Sequence, residues 1–150
     1  CRTLGGCATG DAKITERPAL GQEIRSECRT LGGCATGDAK ITKGYLLKAK
    51  WVIHAVGPVW RGGDAGEDGL LASCYRRSLA LAEAHGAATV AFPAISTGVY
   101  RFPADRAARI AVGAVKDVLD RSPAIARVFF ACFGPVSVAA HQRALAELSI

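Results

Sequence analysis

Three compact apolar runs punctuate the chain. Between them, apolar residues return every three or four positions. WVIHAV at 51–56 ends on Gly57-Pro58, ATVAFP at 88–93 ends on Pro93, and ARVFFACF occupies 126–133. Runs of that length without alternation predict strands buried on both faces. GDAKITKG predicts a shorter strand, with Ala39 and Ile41 on one face and Lys40 and Thr42 on the other. Helical spacing fills the intervals. Leu20, Ile24, Cys28 and Leu31 follow Pro18 and stop at Gly32-Gly33. Leu70, Leu71, Cys74, Tyr75, Ser78, Leu79 and Ala82 share a face that ends near Gly86. Ala107, Ile110, Ala111, Ala114, Val115, Val118 and Leu119 form a third helical face, and PVSVAAHQRALAEL closes the chain as a fourth helix.

Strands alternating with helices predict an α/β fold, a three-layer α/β/α sandwich with a mixed, largely parallel sheet. Ligands of such sheets bind beyond the carboxyl ends of the strands. AISTGVYRFP (94–103) and GPVS (134–137) both lie there, each just before a helix. In the first, Gly98 can take backbone angles closed to other residues, so the chain can reverse there, and it lets a ligand approach the backbone. Successive amides from Thr97 to Tyr100 can converge on an anion, and the following helix adds a weakly positive end. Ser96 and Thr97 add hydroxyls, and Tyr100 an aromatic wall. That composition describes a phosphate or diphosphate cradle, and equally an ordinary strand-to-helix turn.

Composition narrows the field only slightly. The chain has 150 residues, half of them apolar, and a formal charge of +6. This suits one soluble domain with anionic partners, although its basic residues form no block. No apolar run reaches the ~18 residues of a membrane helix, and no basic-then-apolar leader opens the chain. The six cysteines lack paired zinc spacing, and Cys74 and Cys132 sit among apolar neighbours. A cytoplasmic compartment, no metal and no cofactor are the expectation.

CRTLGGCATGDAKIT stands at 1–15 and again, unchanged, at 28–42. Architectural repeats recur several times and drift. Only the second copy lies between a plausible helix and strand. Residues 1–15 are therefore expected to be an artefact of duplication, and residues 16–150 the domain.

ECRTLGGCATGDAKITKGYLLKAKWVIHAVGP, CYRRSLALA, VAFPAISTGVYRFP and AARIA, in that order, resemble the macro domain family, especially its MacroD-type branch. The resemblance implies the layered sandwich, with ADP-ribose or ADP-ribosylated protein as partner. It implies a diphosphate and ribose cradle from Ser96, Thr97, Gly98, Val99 and Tyr100, with Tyr100 against the distal ribose. Phe133, a core residue when read alone, matches the position beside the adenine. Arg101 departs from the family, which usually has glycine there. His54, Cys34 and Lys40 are read as structural, and the acidic loop at 62–69 as solvated. That branch normally opens with an Asn-Ala-Ala-Asn stretch and a Gly-Val-Asp loop linked to hydrolysis. Neither occurs in this sequence, so no catalytic residue is assigned and the domain is expected to be N-terminally incomplete and marginally stable. The native activity implied is hydrolysis of mono-ADP-ribose from proteins, or of O-acetyl-ADP-ribose. The rivals are a non-catalytic ADP-ribose reader and a single-stranded nucleic-acid binder.

Overall fold

The computed structural model describes residues 23 and 26–148. The duplicated residues 1–15 and the start of the helix expected from Pro18 lie outside them. Residues 26–30 are helical and end in a turn before Gly33. Seven elements follow: β1 (Ala39–Lys43), β2 (Trp51–Ala55), α1 (Glu67–Ala84), β3 (Thr89–Pro93), α2 (Ala104–Leu119), β4 (Arg127–Ala131) and α3 (Pro135–Glu147).

Every one of these elements was legible from its apolar spacing. α1 buries Leu71, Cys74, Tyr75, Ser78, Leu79 and Ala82 of the stripe expected, leaves Leu70 half-buried, and adds Glu67. α2 buries Ala107, Ala111, Ala114 and Val115 as expected, leaves Ile110, Val118 and Leu119 half-buried against the core, and also buries Ala108 and Val112. Those two belong to a second face. There they pack with Ala140 and Ala144 of α3, so that α2 is covered on two sides. Small residues at that contact let the two helix backbones approach closely.

The strands form an α/β/α sandwich with the helices. β1 pairs β2 antiparallel, with Lys40 opposite His54. β3 pairs β4 in parallel, with Thr89 opposite Arg127 and Pro93 opposite Ala131. Among the described residues these are two separate two-stranded sheets, one antiparallel and one parallel. The apolar runs therefore differ from fully buried strands. β3 alternates exposed and buried positions, and Trp51, Val52 and Ile53 of β2 are half-buried. Among the described residues each strand has one edge without a partner strand, so fewer neighbours cover its side chains.

The main core joins α1, β3 and α2. Leu71, Tyr75, Leu79, Phe92, Phe102 and Val115 lie at its centre, and Tyr75 meets Phe92 with ring centroids 5.0 Å apart. Burial pushes the Tyr75 phenol above its usual range. His54 and Thr42 make a polar knot between β1 and β2. The Thr42 hydroxyl and His54 Nε2 are 2.9 Å apart, and Cys28 Sγ lies 3.8 Å from the same nitrogen. Burial holds the His54 pKa below its ordinary value, which favours the neutral ring. Cys34 is raised by burial and by Asp38, while Lys40 donates to the Leu31 carbonyl.

Candidate functional site

The parallel register fixes where the two candidate loops emerge. Pro93 and Ala131 are opposite one another at the carboxyl ends of β3 and β4. The loop at 94–103 and the short connection at 132–134 therefore leave on one rim, each running into a helix. β2 sends a third loop to the same place. A side chain on Gly57 would stand 2.2 Å from Ser96 Oγ and 2.6 Å from Ile95 Cγ2, so only glycine permits this approach. Farther along, the Trp60 amide donates to the Tyr100 carbonyl at 2.9 Å.

Within 94–103 the backbone reverses at two points. Ser96 has φ 65° and Arg101 φ 56°, both in the left-handed region. Gly98, expected to take that role, is not among the positive-φ residues. Its contribution is the lack of a side chain over the neighbouring amides. The Phe102 amide donates to the Ser96 carbonyl at 3.0 Å, and the Arg101 amide to Gly98 at 2.9 Å. No hydrogen bond within the described residues uses the amides of Thr97, Gly98, Val99 or Tyr100. Four consecutive donors thus stay available around an exposed glycine, just before the first turn of α2.

The hydroxyls behave otherwise than expected. Thr97 Oγ1 donates to the Ala94 carbonyl at 3.1 Å, a local turn bond that commits its proton. Ser96 Oγ is enclosed against Gly57 and has no partner among the described residues. The loop's uncommitted donors are thus its main-chain amides and the enclosed Ser96 hydroxyl. Val99 is 65% exposed, whereas Tyr100 is half-buried. Phe133 is fully exposed, two positions beyond the end of β4. That excludes the core position it has when read alone. Val136, at the start of α3, is also exposed.

A neighbouring cluster escaped the sequence reading. Glu67 lies inside the acidic loop expected to be solvated, yet it is 2% exposed. Its carboxylate accepts from the amides of Arg61 at 3.0 Å, Gly63 at 3.2 Å and Ala65 at 2.7 Å. Backbone hydrogen bonds hold its pKa below the usual carboxylate range. Trp60 packs on Phe102 with centroids 4.7 Å apart, and the Arg106 guanidinium lies over its ring at 5.1 Å. Arg106 also forms a two-pronged pair with Asp68. Glu67 thereby fixes the loop after β2, and Trp60 ties that loop to the one after β3. An acid in the first turn of a helix and an aromatic after Gly-Pro were the available signals.

These features define an α/β sandwich domain whose loops after β2, β3 and β4 share one rim. The chain belongs to the macro domain family, whose sequence pattern, described as Macro domain, matches residues 17–111. A macro domain-containing protein of Methanosarcina mazei is 53% identical over 148 residues, which cover 99% of this chain and 65% of that protein. A Cronobacter sakazakii protein named O-acetyl-ADP-ribose deacetylase is 50% identical over 101 residues, 67% of this chain and 56% of its own length. The chain thus spans somewhat under two thirds of these two relatives. The Trypanosoma brucei macrodomain in complex with ADP-ribose superposes with a TM-score of 0.76 at 37% identity, covering 84% of this chain and 53% of that one.

Proposed function

We propose that the chain binds ADP-ribose on the rim formed by 94–103 and 132–134. The observation that carries this reading is the set of unpaired amides from Thr97 to Tyr100 around Gly98. Backbone amides in series suit a diphosphate because they offer fixed partial charge without desolvating a cation. Tyr100 lies against the ribose distal to the adenine, and Phe133 offers its open face to the base. Arg101 is exposed at the loop's second reversal and adds positive charge near the diphosphate. ADP-ribose in the related Trypanosoma brucei structure supports the ligand class.

The finer reading is hydrolytic: release of mono-ADP-ribose from protein, or deacetylation of O-acetyl-ADP-ribose. The name of the Cronobacter sakazakii relative supports it. Catalysis of that kind needs a positioned water and a polar group near the distal ribose. Binding and turnover separate experimentally. Calorimetry with ADP-ribose tests the first, and Gly98→Glu is expected to abolish binding by filling the cradle and repelling the diphosphate. Unchanged affinity in that variant removes the loop from the site. Free ADP-ribose released from a mono-ADP-ribosylated protein, or acetate from the O-acetyl compound, supports the enzyme. Binding without either product supports a reader. Affinity for single-stranded nucleic acid that falls steeply with salt, without ADP-ribose binding, replaces both readings.

A further inference from the structure

Glu67 and the amides from Thr97 to Tyr100 stand on different elements, and the structure joins them by two routes. The three partners of the Glu67 carboxylate, the amides of Arg61, Gly63 and Ala65, all lie in the loop after β2 and none in 94–103. The main-chain route is short. Arg61 follows Trp60, and the Trp60 amide donates to the Tyr100 carbonyl at 2.9 Å. The second route runs through side chains. A side chain on Gly63 would stand 2.8 Å from Trp60 Cη2, so the Trp60 ring lies directly against the main chain that Glu67 holds. That ring packs on Phe102, with centroids 4.7 Å apart, and the Phe102 amide donates to the Ser96 carbonyl at 3.0 Å.

The places where these routes land give them their meaning. Ser96 and Arg101 hold left-handed backbone angles, which are costly for residues other than glycine and persist only where the surroundings impose them. One route ends on the carbonyl of Ser96, and the other on the carbonyl of Tyr100, which joins directly to Arg101. The four open amides lie between the two reversals. We propose that Glu67 is a positioning residue for the amides of Thr97 to Tyr100, acting through Trp60 to hold Ser96 and Arg101 in their reversed conformations. A carboxylate suits the task, because an ionised acceptor binds amides about twice as strongly as a neutral one. Without it the loop after β2 loosens, Trp60 shifts with it, and the amides no longer converge on one point. Packed rings and hydrogen bonds in unbroken contact are the kind of network that carries such coupling. That the amides bind ADP-ribose rests on the function proposed above; the coupling itself does not.

The test compares amide NMR spectra and ADP-ribose calorimetry of the full chain with those of Glu67→Gln, Gly63→Ala and Thr42→Val. Glu67→Gln removes an accepting oxygen. Gly63→Ala drives a methyl group into the Trp60 ring and changes no charge. Thr42→Val, between β1 and β2, controls for lost stability alone. The first two should move the amide signals of Trp60 and of Thr97 to Tyr100 in the ligand-free protein, and weaken ADP-ribose binding about two- to thirtyfold. The third should do neither. In the parent, the Trp60 amide should be as protected from exchange as those of Arg61, Gly63 and Ala65, since all four open as one unit. Signals at 97–100 that stay in place in both variants, or that Thr42→Val moves as far, overturn the proposal. Affinity equal to the parent's in both variants overturns it as well. So does a Trp60 amide far less protected than the other three, a measurement that stands even where a variant does not fold. If the parent does not bind ADP-ribose while the signals move as expected, the ligand reading falls and the positioning role stands.

Discussion

Glu67 carries more of the rim than its place in an acidic loop suggests. One carboxylate accepts three amides, two at Oε1 and one at Oε2, so Glu67→Gln keeps the shape but replaces one accepting oxygen with an NH2 group that cannot accept. Because the folded pKa is depressed, the stabilising effect is complete above the unfolded value. It is lost as pH falls through the folded pKa, below the ordinary carboxylate range. Urea titrations should find Glu67→Gln less stable than the parent at pH 7, with the difference shrinking towards pH 3. A difference independent of pH contradicts the assignment. Arg101 invites the opposite change. Its φ of 56° suits glycine, and the family's usual residue relieves the strain at the cost of a more flexible unfolded chain. Arg101→Gly should change stability by no more than about 1 kcal/mol, in the stabilising direction if strain dominates. A denaturation midpoint far below the parent's tells against that account. At this scale the sequence was least informative. Gly98 looked like the reversal point, and Thr97 like a ligand donor. Only the folded loop shows that Ser96 and Arg101 reverse the chain and that Thr97 bonds Ala94.

Elements were far more legible, because each was written in a period that packing respects. The stripe from Leu71 to Ala82 in α1 and the places of all four strands are examples, although β4 stops at Ala131, two residues short of its apolar run. What escaped was the second face of α2, since alanine at Ala108 carries little signal of burial until α3 is placed against it. That contact leaves little spare volume: Ala108 is 0% exposed and Ala140 2%. Ala140→Leu should therefore force the helices apart and cost about 1–3 kcal/mol in a two-state melt. Tolerance without loss would mean that the α2–α3 contact is loosely packed. Between β1 and β2 the decisive link is polar. Thr42 and His54 sit on a diagonal of the ladder, since His54 faces Lys40. Thr42→Val keeps the shape but strands the ring nitrogen, and should cost about 1–2 kcal/mol in chemical denaturation. A neutral outcome would show that Cys28 alone suffices as the nitrogen's neighbour.

For the whole molecule, the layered class was legible and the sheet's continuity was not. Apolar runs announce strands, but they do not say which edges meet, because pairing depends on residues distant in sequence. Among the described residues the two pairs leave backbone edges without partner strands, and such edges favour association between chains. A purified sample is accordingly expected to melt below the range of about 45–65 °C usual for mesophile domains, and to aggregate as it does so. Reversible, cooperative unfolding well above that range contradicts the expectation. The alignment of Pro93 with Ala131 has a wider bearing. Because both exits sit on one lip while the packing lies behind them, the lip can be rewritten without touching the chassis. Grafting foreign turns at 97–101 and 132–134, with Ile95 and Phe102 kept to fill the core, should change cargo and leave the scaffold intact.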